Sequence, residues 1–313
     1  MLSSALVLAA APIAGVLVAA RRERSARRYE RDCARRLPLG PDGVIVGAEP
    51  IDLPAPGGGT SGGRLALLLH GFGDTPQTLV NLATHLNARG WAVRAPLLPG
   101  HGRTLRAFAA SRASSWIAHA RAELAAAQSQ YESVALVGLS MGGAIATVLA
   151  AETPALPALV LLAPYTSMRA RLQRVARLHR TWGMFARYLR GRGDRSILDP
   201  EARARSLAYG VVTPRLLAEL AVVVEEARRA APGVRAPTLV VQSREDHRIA
   251  PADAERAFAL VGAQEKRLVW LDGCGHIVTV DHGRERVDAE TAGWLERYAS
   301  ARVSEDACEP LKS

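Results

Sequence analysis

Cysteine and lysine are almost missing from this chain. Its three cysteines, Cys33, Cys274 and Cys308, are an odd number at no metal-ligand spacing, which argues against a disulfide framework and a structural zinc site. Lys266 and Lys312 are the only lysines, so the net charge of +10 comes almost entirely from arginine. Aromatic residues make up only 5% of the chain. A nucleic-acid binder needs basic and aromatic side chains gathered on one face. Here the arginines are spread along the chain, densest at Arg21 to Arg36 and Arg169 to Arg195, so no nucleic-acid partner is expected. No internal repeat is present.

Charge is missing altogether from Leu2 to Ala20. A run of roughly 20 apolar residues suffices to cross a bilayer as a helix. Arg21, Arg22, Arg24, Arg27 and Arg28 follow at once, whereas no basic residue precedes the run. The positive-inside rule then predicts a membrane anchor at residues 1–20, a basic juxtamembrane segment at 21–41, and the following domain on the cytoplasmic side. The competing reading is a secreted protein with a cleaved signal peptide ending at Val18-Ala19-Ala20. It lacks the basic n-region such peptides carry.

What is present is a regular alternation. About half the residues are hydrophobic (49%), enough for one large α/β domain, placed here at residues 42–300 with a tail at 301–313. Continuous apolar runs occur at Leu65–Leu69, Trp91–Ala95, Val134–Val137, Ala158–Leu162, Thr238–Val241 and Lys266–Trp270. Such runs are typical of strands buried in a parallel sheet. Helix-like stretches lie between them at Thr75–Arg89, Ser114–Gln130, Gly142–Glu152, Ala252–Val261 and Glu285–Tyr298. The rhythm predicts an α/β fold with a doubly wound, mostly parallel sheet. The exception is 167–231, which is Arg-rich and strandless in pattern and is read as a helical cap insertion.

One run leads into chemistry. Val134–Val137 is followed by Gly138-Leu139-Ser140-Met141-Gly142-Gly143 and then a helix. This is G-x-S-x-G in strand–turn–helix context, where glycines relieve the crowding of a sharp turn and the helix N-terminus favours an oxyanion. A serine hydroxyl needs an imidazole to take its proton. His276, in the glycine-rich turn after Lys266–Trp270, is best placed for that. The acid is expected in the loop after Thr238–Val241, where Asp246 is the first choice, Glu245 its rival and Asp199 in the cap a weaker one. The resulting order is Ser, Asp, His. An oxyanion hole needs two backbone N–H groups, expected from Met141 and from Phe72 in the loop His70-Gly71-Phe72-Gly73-Asp74, where the Phe72 ring is also placed to wall an acyl pocket. His70 is read as structural, and Cys274 as a small loop residue rather than a second nucleophile.

Together, His70-Gly71-Phe72-Gly73, Pro99-Gly100-His101-Gly102, Gly138 to Gly143, Arg244 to Asp246 with Pro251, and Gly275-His276 resemble the α/β-hydrolase superfamily. The closer resemblance is to its carboxylesterase and monoacylglycerol-lipase branch, over about residues 63–298. It implies hydrolysis without metal or cofactor, through an acyl-enzyme on Ser140. The expected substrate is a small-molecule ester, with the hydrophobic N-terminus pointing to a lipidic one. A thioester or peptide substrate, and a non-catalytic binding protein on the same fold, are the alternatives.

Overall fold

The computed structural model describes residues 2–57, 63–191 and 196–299, with side chains from residue 15 onward. Helix α1 (Leu2–Arg36) comes first, then strand β1 (Ile51–Leu53). Strand β2 (Arg64–Leu69), helix α2 (Val80–Ala88) after a 3-10 turn at Pro76–Leu79, and β3 (Ala92–Ala95) follow. The next elements are α3 (Leu105–Ala110), α4 (Ala113–Gln128), β4 (Ser133–Leu139), α5 (Met141–Glu152) and β5 (Leu159–Leu162). The segment expected to form a cap contains α6 (Ala170–Arg177), α7 (His179–Phe185), β6 (Leu189–Arg190), α8 (Pro200–Ala204), β7 (Val211–Val212) and α9 (Pro214–Ala230). Strand β8 (Thr238–Ser243), α10 (Pro251–Leu260), β9 (Lys266–Leu271) and α11 (Arg284–Ala299) complete the described chain. The expected tail at 301–313 lies outside the described residues.

Seven strands form one sheet in the order β1-β3-β2-β4-β5-β8-β9. All neighbours are parallel except β1, which runs antiparallel on β3 at the edge. The period-2 pleat sends successive side chains to opposite faces. Leu65, Leu67 and Leu69 pack with α4, α5 and α9 on one face. Ala66 and Leu68 pack with α2 and α11 on the other. Both faces are covered, which is why the strands read as unbroken apolar runs rather than as alternating ones. Because the inner strands are parallel, their carboxyl ends meet along one edge of the sheet. The loops after β2, β4, β5, β8 and β9 all emerge there.

The cap departs from expectation in two ways. It contains a short antiparallel pair, with Leu189 opposite Val212 and Arg190 opposite Val211. Two residues are too few to show a period, so no strand signal was available. Helix α9, with Pro214 at its first turn and Thr213 accepting from Leu216 N as its cap, buries Leu216, Leu217, Leu220, Val223, Val224 and Ala227 at helical spacing. That face packs in the same core as α5, so α9 also serves as the crossover connecting β5 to β8.

The N-terminal expectations fare differently along their length. Side chains of residues 1–14 lie outside the description, so most of the expected anchor does too. Among the described residues, no helix is long and apolar enough to cross a membrane. The basic segment that follows is helical up to Arg36 and docks on the protein. Ala26, Cys33 and Leu37 enter the main core. Glu30 accepts from Arg106 Nε (2.8 Å) and from Tyr188 Oη (2.9 Å), and Arg36 Nη2 donates to the carbonyl oxygens of Ala208 and Tyr209.

Candidate active site

The loops at the carboxyl edge of the sheet bring Ser140, His276 and Asp246 into one line. Ser140 sits between β4 and α5 with φ 55° and ψ −116°, a conformation that L residues adopt only under constraint. The constraint is local. Ser140 N donates to Leu162 O (2.9 Å), and Ser140 O accepts from Ala144 N and Tyr165 N. Gly138, Gly142 and Gly143 pack against each other's backbone, against Leu69 and His70, and against Pro164, so closely that a Cβ on Gly138 or Gly142 would collide with main chain. The glycines therefore permit the turn by close approach and leave the positive φ to the serine. Ala163, the residue after β5, has φ 43° as well. Its N–H is held by Val241 O (2.8 Å), a second constrained residue that nothing in the sequence marked.

Ser140 Oγ lies 2.7 Å from His276 Nε2, and His276 Nδ1 lies 2.7 Å from Asp246 Oδ2. With both bonds made, Nδ1–H donates to the carboxylate and Nε2 is free to accept from the hydroxyl. Asp246 is nearly fully buried. Burial alone would raise its carboxyl, but the charge and hydrogen bond of His276 and the backbone N–H groups of Arg248 and Ile249 outweigh it and lower it to about 2. Arg248 N donates to Oδ1 at 2.7 Å and Ile249 N at 3.1 Å.

The rivals stand elsewhere. Glu245 is exposed, and among the described residues it bonds only within its own loop, its Oε2 accepting from Ser243 Oγ and its N–H donating to that same oxygen. Asp199 caps α8, accepting from Glu201 N and Ala202 N, and its carboxyl is lowered first by that Ala202 bond. His70 is fully buried, its Nδ1 on Gly71 O (2.9 Å) and its Nε2 accepting from Leu98 N (3.0 Å). Burial lowers its imidazole to about 4, so it stays neutral and ties the β2 loop to the β3 loop. Cys274 is buried, with its thiol pushed up to about 11 by desolvation, which keeps it protonated.

Met141 follows Ser140 directly, and Phe72 follows Gly71, whose absent Cβ would lie 3.4 Å from Ser140 Cβ. Met141 is thus next to the serine in the chain, and Phe72 next to a glycine that touches it. The Phe72 ring is half-buried in a cluster with His101, Phe108 and Trp116, at centroid distances of 6.3, 5.3 and 5.9 Å.

Two supporting residues escaped sequence reasoning. Gln242 Nε2 donates to Asp246 Oδ2 (2.8 Å). Asp281 accepts from Gly275 N and Leu198 N on Oδ2 and from Asp199 N and His282 N on Oδ1, pinning the His276 loop to the cap. A glutamine ending a strand and an acid in a loop read as ordinary surface polar residues. Their burial, which only packing reveals, is the signal. Among the described residues, no cluster of histidine, cysteine and acidic side chains could hold a metal ion.

Residues 63–283 match the family model described as serine aminopeptidase, S33. The chain belongs to that family. This S33-family chain is also similar to two curated bacterial proteins. One is the thermostable monoacylglycerol lipase of Bacillus sp. (strain H-257), 25% identical over 256 residues, 82% of this chain and 97% of the relative. The other is a carboxylesterase of Bacillus subtilis (strain 168), 28% identical over 238 residues, 75% of this chain and 94% of the relative. Among solved structures, a metagenome-derived lipolytic enzyme of the LipS and LipT pair superposes with a TM-score of 0.73 at 28% identity. That match covers 82% of this chain and 100% of the other. The architecture and the comparisons together make the chain an α/β-hydrolase.

Proposed function

We propose that this chain hydrolyses carboxylic esters, with Ser140 as nucleophile, His276 as base and Asp246 as the acid that orients it. The observation that carries the reading is the unbroken line of hydrogen bonds Ser140–His276–Asp246, 2.7 Å at each step. Neutral Nε2 takes the hydroxyl proton as Oγ attacks the ester carbonyl carbon. The carbonyl oxygen gains negative charge, and the amides of Met141 and Phe72 donate to it at the start of α5. The imidazolium, stabilised by ionised Asp246, returns the proton to the departing alcohol. An acyl group then remains on Ser140. Water, deprotonated by His276, attacks that ester, and collapse of the second tetrahedral species releases the acid and restores the hydroxyl.

The substrate class is lipidic. The supporting facts are the names of the relatives, a monoacylglycerol lipase and a carboxylesterase, and an apolar surface where the cap segment meets α1. Leu178, the residue that caps α7, and Trp182 and Phe185 within it are exposed at positions i, i+4 and i+7. Val16 and Leu17 of α1 are 69% and 65% exposed, and Arg22 Nε donates to Gly183 O (2.7 Å) where the two helices meet. An uncharged run from Leu2 to Ala20 leads into this surface, with arginines behind it. In this reading the N-terminal segment attaches the enzyme to a membrane.

Fluorophosphonate labelling of the full chain in detergent, beside Ser140→Ala, tests the chemistry. Labelling of the wild type and none of the variant is expected. A folded wild type that takes up no label would overturn the reading. Acylglycerols of graded chain length, run against an aminoacyl anilide, then separate a lipid-ester hydrolase from the peptidase activity that the family's description names.

A further inference from the structure

Arg248 follows Asp246 by two residues, and its backbone and side chain face different tasks. Its N–H supports the Asp246 carboxylate. Its side chain is half-buried among the loops that frame Ser140. Nε and Nη2 both donate to Ser196 Oγ, at 3.0 and 2.8 Å. Ser196 is itself buried, and its carbonyl accepts from Ile277 N (2.9 Å), so the hydroxyl that holds the guanidinium is fixed to the residue after His276. Two further groups feel the guanidinium charge: the buried carboxyl of Asp74, from the β2 loop, and the phenol of Tyr165, whose ring lies 6.3 Å from that of His276.

A guanidinium has five N–H donors. Two of them reach Ser196, and among the described residues Arg248 stands in no ion pair. Asp246 is taken up by His276, Gln242 and two backbone amides. Most of this protein's arginines are solvated or paired on its surface, as in Arg89–Glu296 and Arg121–Glu152. A cation tethered through Ser196 between the Asp246 and His276 loops, partly removed from water and with no carboxylate within ion-pair distance among the described residues, has a solvation balance that an incoming anion would improve. Its planar fork suits carboxylate and phosphate oxygens.

We propose that Arg248 is a specificity-determining residue that binds an anionic group of the substrate, so that the site prefers esters carrying a carboxylate or phosphate near the scissile bond. The inference rests on the ester-hydrolase reading for where the substrate sits. Ser196 orients the fork, and the binding group is the face of the guanidinium turned away from it.

The test compares mono-4-nitrophenyl glutarate with 4-nitrophenyl butyrate, and 1-acylglycerol 3-phosphate with 1-acylglycerol, in the full-length wild type, Arg248→Met and Arg248→Lys. The carboxylate and phosphate arms identify which anion the site takes. In the wild type the kcat/KM ratio of anionic to neutral ester is expected to favour the anion roughly ten- to a hundredfold in at least one arm, and to shrink with added salt. In Arg248→Met the ratio should fall to about one, and Arg248→Lys should lie between. A wild type that does not discriminate, or an Arg248→Met ratio equal to the wild-type one, overturns the inference while leaving ester hydrolysis standing. Binding of the non-hydrolysable ether 1-O-alkylglycerol 3-phosphate against 1-O-alkylglycerol reads the same recognition without turnover. Preference for the anionic ether with no hydrolysis of any ester would uphold the role of Arg248 and overturn the hydrolase reading. Should Arg248→Met fail to fold, Arg248→Lys and the wild-type salt dependence decide. Unchanged ratios in both would sink the proposal.

Discussion

Gly142, in the first turn of α5, lies against the carbonyl oxygen of Leu69 at the end of β2, with no room between them for a Cβ. The contact draws the β2 loop, with Gly71 and Phe72, up to the serine turn. Gly142→Ala must therefore push the two loops apart. Overpacking of this kind costs about 1–3 kcal/mol, and the displaced Phe72 amide should reduce kcat far more than the lost stability explains. Thermal unfolding and single-turnover acylation, measured on the same preparation, check both effects. A variant as active as the wild type would mean the loop yields without consequence.

The two acids of the β8 loop should differ sharply. Asp246→Asn replaces an acceptor on His276 Nδ1 with an amide that lets the ring take the wrong tautomer, which cost about four orders of magnitude in kcat in the serine-protease precedent. Glu245→Gln alters an exposed side chain and should leave kcat within about twofold. Equal losses in the two would remove Asp246 from its assigned role.

Gln242 fixes the same carboxylate from the sheet side. Gln242→Leu removes that hydrogen bond while preserving bulk, and a net hydrogen bond to a charged group is worth about 1.5–3 kcal/mol. A drop of roughly tenfold or more in kcat, with KM little changed, is the expected steady-state result. A change confined to KM would assign Gln242 to substrate binding instead.

Two buried acids should pull stability in opposite directions with pH. Asp246, lowered from 3.8 to about 2, contributes stability that is complete above its unfolded value and lost as pH falls from about 4 through about 2. The contribution is about 2 kcal/mol. Asp74, raised from 3.8 to about 7 chiefly by burial, behaves in reverse. Its contribution is complete below about 4 and lost as pH rises to about 7. Asp74→Asn keeps the acceptor for Thr75 N and should stabilise the protein relative to wild type at pH 8 but not at pH 4. Chemical denaturation at the two values, with Asp246→Asn alongside below pH 5, reads both slopes.

Helix α1 predicts a difference between two truncations. Removing residues 1–20 takes away no core residue among those described. Removing 1–37 deletes Ala26, Cys33 and Leu37 from the core, together with Glu30. The shorter deletion should unfold near the wild-type temperature in detergent-free buffer, and the longer one should lose several kcal/mol. Equal stabilities would show that the docked half of α1 contributes nothing.

Much of this molecule is written in short stretches of sequence. Strand β2 is called from Leu65–Leu69 and found at Arg64–Leu69, and α5 is called from Gly142 and found from Met141. Local rules suffice there, because a strand covered on both faces must be apolar throughout and a serine elbow needs its glycines within a few residues. Ser140, Asp246 and His276 were nameable for the same reason: each ends or follows a recognisable strand, and parallel strands bring their carboxyl ends to one edge. Tertiary structure decided what local pattern leaves open. Asp246 and Glu245 are neighbours of like chemistry, and only burial against His276 distinguishes them. Residues 21–41 read as a basic juxtamembrane segment, yet one side of the helix that runs to Arg36 is built into the core through Ala26 and Cys33. Gln242, Asp281 and Arg248 resemble ordinary loop polarity in the sequence. Arg248 finds its partner in distant Ser196, Asp281 in backbone amides with no residue identity, and Gln242 in nearby Asp246 once both are buried, so their roles arise only when the loops converge.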